Sequence, residues 1–346
     1  MKPQWNLPGV GDPMLLNPSG RAQRLLSLLV AGFVAAEEHA KDERTRLMMG
    51  TYMGNSALAA YLFLMLGRPS YFVPGHLAEL FLRSKYEVNS ASLRFPIDSF
   101  QLVFPVGYKL SDGTPLTAIH IFKLCSKLGN ELIDGVKPFI LSVQELERRM
   151  KLYPDPSMAP AKVNRMLLYS EGLAKNIDKL KIYSSADTTL LPYVNGCQIG
   201  NLSLSGDLSN TLEPDGFCCV PAQQLTIPAA REIVALATAA LCRYTTRPET
   251  VVDYSLPRSE RYNHKGEKSQ RKIFRFLDPK IVTHHAERLD GPSSYTVKPH
   301  VRGFVYATLR DERWYRKNPL KPGEPLRIQE REPTIIHAEQ FEASHA

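Results

Sequence analysis

The chain has 346 residues, with 43 Lys and Arg against 35 Asp and Glu and a formal net charge of +8 at pH 7. That length allows two or three domains with a sizeable core, and a hydrophobic content of 43% excludes a disordered chain. Five cysteines include no Cys-x-x-Cys pair, and two of them are neighbours, Cys218 and Cys219, which excludes a disulfide framework or a zinc knuckle and predicts a reducing cytoplasm.

Residues 1–17 read as an irregular leader. Asn17 and Pro18 form a helix start, Asn as cap and Pro in the first turn, and Leu25, Leu29, Phe33 and Ala36 follow at helical spacing. With Arg21 and Arg24 ahead of it, this run imitates a secretory signal, but it begins late and leads into the charged stretch 37–46. A second helix is predicted over residues 55–66, stopping at Gly67-Arg68-Pro69, and its apolar run is too short to span a bilayer. Pro74 opens a third helix over residues 75–83. Residues 100–106 and 117–124 are rich in β-branched and aromatic side chains and flank the turn Ser111-Asp112-Gly113-Thr114, a hairpin signature. A short strand at 139–141 and a helix at 144–152 complete this part.

Pro154-Asp155-Pro156-Ser157 marks a boundary. Beyond it Val163, Met166, Ser170, Leu173, Ile177 and Leu180 make one helix face, and residues 184–221 read as short strands with loops. Thr226 caps a further helix with Pro228 in its first turn. Its apolar face is Ile233, Leu236, Ala237, Ala240, Leu241 and Tyr244, and it ends near Thr246-Arg247-Pro248. Residues 258–275 are polar, and 295–309 and 326–337 read as two strands joined by a Pro-rich loop. In the second of these, Arg327, Gln329 and Arg331 share one face, because side chains alternate along a strand. The expectation is an α+β protein: an N-terminal helix-and-sheet domain (1–153), a helical middle region (154–253) and a basic, β-rich C-terminal domain (254–346).

Charge is segregated along this layout. Residues 254–331 hold 18 Lys and Arg against 9 Asp and Glu, a surplus of +9, so the rest of the chain sums to −1. The same stretch carries Tyr262, Phe274, Phe276, Tyr295, Phe304, Tyr306, Trp314 and Tyr315. Cations interleaved with rings on a foldable segment attract a polyanion and stack on bases, whereas a merely solvated face needs no rings. Between Arg302 and Arg331 arginine outnumbers lysine, which favours bidentate contact with phosphate and stacking on flat rings. The candidate nucleic-acid- or ribosome-binding residues are Lys298, His300, Arg302, Arg310, Arg313, Trp314, Arg316, Lys317, Arg327 and Arg331.

Signals for chemistry are weaker. No Gly-x-x-x-x-Gly-Lys-Ser/Thr run and no Gly-x-Ser-x-Gly elbow occurs, so neither a phosphate-binding loop nor a serine hydrolase is expected. His284 and His285 are adjacent and diverge on either a strand or a helix, and residues 37–43 lack the Glu-x-x-His spacing of a carboxylate-bridged site. Asp98, Asp112, Asp134, Asp187 and Asp207 would be the acids of a metal-dependent nuclease, but most sit beside Gly or Ser in turns. No catalytic residue, metal or cofactor is therefore assigned.

Four stretches together resemble a phage and plasmid family, that of the large type V-A anti-CRISPR protein that depletes the transcript of the CRISPR effector nuclease. They are Leu93-Arg94-Phe95-Pro96-Ile97-Asp98-Ser99-Phe100, the apolar helix closing in Arg247-Pro248-Glu249-Thr250-Val251, Glu287-Arg288-Leu289-Asp290-Gly291, and Lys298-Pro299-His300-Val301-Arg302-Gly303. The last resembles the family's Pro-His-x-Arg approach to a C-terminal hairpin, whose second strand carries Arg327 and Arg331 before Pro333. One step departs from the pattern: where the family has Gly-His-Trp, this chain has Gly303-Phe304-Val305. The resemblance implies a non-enzymatic mobile-element protein of the bacterial cytoplasm. It would recognise the nuclease's nascent N-terminal peptide near ribosome or mRNA and cause loss of the message. The alternatives are a DNA- or RNA-binding regulator and a metal-dependent nuclease.

Overall fold

The computed structural model describes residues 63, 66–123, 188–194, 197–200, 202–211, 225–254, 272–279, 282–284 and 300–336. The predicted leader, the helices at 17–36, 144–152 and 163–180, and the strand at 139–141 lie outside these residues. Of the predicted 55–66 helix, Phe63 is described as helical, and its carbonyl accepts from the Arg68 N–H. Gly67 follows at φ 82°, a left-handed conformation that suits glycine and ends a helix.

The described elements are, in chain order, β1 (Ser70–Phe72), α1 (Gly75–Leu82), β2 (Lys85–Asn89), β3 (Ser99–Val103), β4 (Ala118–Phe122), β5 (Thr188–Val194), β6 (Cys197–Gln198), β7 (Leu202–Leu204) and β8 (Asp207–Ser209). Then come α2 (Ile227–Thr246), β9 (Val251–Asp253), β10 (Ile273–Phe276), β11 (Val282–His284), β12 (His300–Arg302), β13 (Val305–Thr308), β14 (Ile328–Arg331) and β15 (Thr334–Ile336). They form a mixed α and β structure with three sheets, as the α+β expectation has it. The largest sheet runs β6-β5-β4-β3-β1-β10-β9, with β7 also on β5. Both of its parallel pairs among the described strands involve β1, with β3 on one side and β10 on the other. A second sheet runs β14-β13-β2-β8 and a third β11-β15-β12. Strands from all three stretches of the sequence layout share these sheets: β1, β3 and β4 from the first, β5 from the second, β10 from the third.

The predicted hairpin forms as β3 and β4, with Val103 opposite Ala118. Both strands are buried along their whole length, as central strands covered on both faces must be. Phe100, Leu102, Ile119 and Ile121 belong to the main apolar core, whereas His120 meets Phe63, ring centroids 4.9 Å apart. Thr226 caps α2 through its hydroxyl, which accepts from the Ala229 N–H at 3.2 Å. Burial of α2 exceeds the predicted face: Ala235, Thr238, Ala239, Cys242 and Arg243 are buried as well. The cause is its position, packed against α1 and β14 and touching β4, β5 and β7. Its alanines keep helix propensity high while letting neighbours approach closely.

Two strand expectations need correction. Residues 272–275 were expected within a polar stretch, yet β10 lies between β1 and β9, with Ile273 and Phe276 buried. Residues 295–309 and 326–337 were expected as one strand each. Each contains two strands, β12 and β13 in the first, β14 and β15 in the second. The register nevertheless passes straight through, Arg302 opposite Thr334 and Val305 opposite Arg331. The interruption falls at Gly303-Phe304 across from Glu332-Pro333. Pro333 has no N–H to donate to a ladder. Phe304 turns its carbonyl to the Lys85 N–H, 2.9 Å away, and so fastens the hairpin to β2. Gly303 presses against the end of α1, where a Cβ would lie 2.6 Å from both the Arg83 carbonyl carbon and the Leu80 oxygen.

Candidate nucleic-acid interface

The connector between β13 and β14 carries six of the ten candidate residues, and its base is fixed by a tyrosine. The Tyr315 hydroxyl donates to the Leu309 carbonyl at 2.6 Å and accepts from the Arg327 N–H at 3.0 Å. Leu309 N–H also bonds the Arg327 carbonyl at 2.8 Å, so the two chain ends enter side by side. Just beyond this base, Asp311 caps a single 3₁₀ turn, Glu312–Tyr315, by accepting from the Arg313 N–H at 2.9 Å. On the returning side, Glu324 accepts from the Lys321 N–H at 3.0 Å, and this bond holds its carboxyl below the usual carboxylate range.

The side chains on this scaffold divide by partner. Arg310 meets Asp207 at 3.2 Å, and Arg327 lies 3.7 Å from Glu324 and over the Tyr315 ring. Arg313 is held by Asp311 at 2.9 Å, and its guanidinium lies 5.6 Å from the Trp314 ring centroid. Trp314 is 49% exposed. Arg316 and Lys317 are exposed and have no ion-pair partner among the described residues. Exposed pairs of the Arg310–Asp207 kind contribute little to stability.

The remaining candidates are elsewhere. His300 and Arg302 are on β12, where Arg302 Nε donates to His300 Nε2 at 3.2 Å, and Arg331 is exposed at the end of β14. With a rise of ~3.3 Å per residue, His300 is about 25 Å along the hairpin from the connector. The candidates therefore make two groups along one hairpin. Lys298 lies outside the described residues.

The described rings of the basic stretch divide between core and surface. Phe276, Phe304 and Tyr306 are in the core, with Phe304 and Tyr306 stacked at 5.7 Å, and Phe274 stacks on Tyr71 at 4.7 Å. They were expected as part of a ring-bearing recognition segment, and burial overrides that expectation. Trp314 is the large ring left in water among the described residues of this stretch.

A buried ionic cluster beneath the hairpin escaped the sequence reading. Arg243, on α2, has a side chain 3% exposed, and its Nη1 donates to the equally buried Glu330 of β14. The same nitrogen reaches Glu332 at 3.2 Å, and Thr246 donates to Glu330 at 2.6 Å. The guanidinium also lies 5.0 Å from the Phe304 ring centroid. Burial raises the Glu330 carboxyl, against the Thr246 hydrogen bond and Arg243, which lower it. Burial likewise pushes the Tyr306 hydroxyl and the Cys242 thiol well above their ordinary ranges, which keeps both neutral. Arg243 Nε and the Tyr306 hydroxyl have no hydrogen-bond partner among the described residues. Position 243 does fall at core spacing, three after Ala240 and seven after Leu236. A charge there demands a buried counter-charge. Nothing local identifies Glu330 as that partner.

Of the candidate nuclease acids, Asp112 bonds the Thr114 N–H and the Thr226 hydroxyl, which lower its pKa, and Asp207 pairs with Arg310. Asp134 and Asp187 lie outside the described residues. Among the described residues no three of His, Cys, Asp and Glu gather as a metal site. No helix there is long and apolar enough to cross a membrane.

No protein-family model, no curated protein and no solved structure matches this chain.

Proposed function

We propose that this chain is a mobile-element recognition protein of the anti-CRISPR kind. In this reading it works in the bacterial cytoplasm without catalysis of its own, docks on ribosome or mRNA, reads the nascent N-terminal peptide of a CRISPR effector nuclease and causes loss of that message. The observation that supports the docking step is the tied connector turn, with Trp314 half in water and followed by Arg316 and Lys317, cations without an ion-pair partner among the described residues. Cationic side chains release counterions from a polyanion, and an aromatic ring adds stacking, so this turn has the chemistry of an RNA contact. The peptide-reading step rests on the resemblance of residues 93–100, 236–251, 287–291 and 298–303 to the family.

The decisive experiment is RNA sequencing of a host carrying an effector nuclease gene, with and without the chain. Selective loss of the nuclease message, with puromycin-sensitive co-sedimentation on ribosomes, is expected. An unchanged transcriptome overturns the proposal. Salt-sensitive binding to nucleic acid that ignores translation would favour a plain DNA- or RNA-binding regulator instead.

A further inference from the structure

We infer that Trp314 is a stacking platform for an unpaired RNA base, so the connector selects single-stranded over duplex RNA. The inference rests on the docking step above and specifies its ligand. A ring 49% exposed on a connector lies outside the apolar core and leaves half of its surface in water. Its placement is nevertheless built. Asp311 caps the turn that carries Trp314 and also holds Arg313 over the ring. Tyr315, the next residue, ties the turn to both ends of the connector. The backbone that carries the ring is thus tied at the Asp311 cap and through the Tyr315 hydroxyl, which lowers the entropy cost that an untethered basic loop meets on binding.

The chemistry selects the ligand. Bases inside a duplex are already stacked on their neighbours and offer no free face to an indole, whereas an unpaired base does. Arg316 and Lys317 follow within three positions of Trp314, close enough for the phosphates that flank one stacked nucleotide. Arg310 and Arg327 pair with Asp207 and Glu324, so the cations without an ion-pair partner among the described residues that follow Trp314 most closely along the chain are Arg316 and Lys317.

The sequence supplies its own probe, because it contains two tryptophans, Trp5 and Trp314. In the full chain with Trp5→Phe, Trp314 becomes the sole indole. Titration with a 15-nucleotide oligo(A) RNA should quench its fluorescence saturably, while a blunt RNA duplex of matching length should bind more weakly and quench little. Trp314→Ala should weaken binding to the single strand by about 5- to 150-fold, the equivalent of one stacked base, and Trp314→Phe should restore part of it. Arg316→Glu with Lys317→Glu should flatten the salt dependence of log K by about 1.4, two phosphate contacts on a single strand. Equal or tighter binding of the duplex, selective binding of single-stranded DNA, unaltered affinity in Trp314→Ala, or no binding by the natively folded chain would each overturn the inference. Failure here with loss of the nuclease message intact removes the platform and leaves the proposed function standing. RNA binding with an unchanged transcriptome does the reverse.

Discussion

Arginine does opposite work at the two ends of β14. At the connector, Arg313 and Arg316 are in water, and Arg313 meets an exposed aspartate and the half-exposed ring of Trp314. Below the same strand, Arg243 is shut away with Glu330, Glu332, Thr246 and the face of Phe304. Placement produces the contrast: Arg313 and Arg316 stand on the connector outside the strand, whereas Arg243 stands on α2 at the point where Glu330 of β14 packs against it. Charge density along a sequence therefore measures neither the area nor the location of a binding surface. Of the basic residues near this hairpin, the most constrained is Arg243, which lies outside the stretch where the charge surplus falls.

This comparison is broken most forcefully at the buried end. Arg243→Met leaves Glu330 as an uncompensated buried carboxylate and should cost about 3–5 kcal/mol in urea unfolding. Adding Glu330→Leu to that variant should recover much of the loss, since an apolar pair strands no charge while Glu332, 25% exposed, can reach water. A cost below about 1 kcal/mol for Arg243→Met would mean that the cluster is not closed to solvent. Next in size is Gly303→Ala, whose Cβ has no room against Leu80 and Arg83. It should cost about 3 kcal/mol and move the hairpin away from α1, lowering the protection of the Lys85 amide in hydrogen exchange.

His120 provides a test of the core itself. It is fully buried with Nε2 2.8 Å from Ser99 Oγ, and burial lowers its pKa to about 3. An unfolded histidine takes up a proton near pH 6.5. Between those values the unfolded chain binds the extra proton, so stability is complete above about pH 6.5 and falls as pH drops, by up to about 1.4 kcal/mol per unit. Urea midpoints of the native chain and of His120→Gln, measured from pH 7 to pH 4, should converge as the native chain loses this contribution. Parallel curves would show that the imidazole reaches water.

The local elements were legible where their cause is local. Pro74, the Ser111-Asp112-Gly113-Thr114 turn, and Thr226 with Pro228 each fix φ or satisfy an orphan N–H within a few residues, and α1, the β3–β4 hairpin and α2 begin or turn where those residues stand. The split of the C-terminal strands was half legible, since Pro333 is visible, but the pressure of α1 on Gly303 exists only in the assembled fold. At the candidate site, the connector was found because its turn and charges are contiguous. The sorting of rings was not found, because Phe304 and Trp314 carry the same local signal and differ only in what packs on them. Nor was the partnership of Arg243 with Glu330, 87 residues apart, which the path of the hairpin across α2 creates.

The smallest expected effect separates the two ends most cleanly. If the connector turn is a presented surface, Trp314→Ala and the pair Arg316→Glu with Lys317→Glu should each change unfolding free energy by no more than about 0.5 kcal/mol, because neither leaves a buried cavity or a buried charge. Near-neutral stability is the outcome that distinguishes a surface kept for a partner from a cap that holds the hairpin together. Should either variant lose about 2 kcal/mol or more by urea denaturation, the turn is part of the fold's own support. Trp314 would then need a packing explanation like that of Phe304, and the RNA contact would lose its basis.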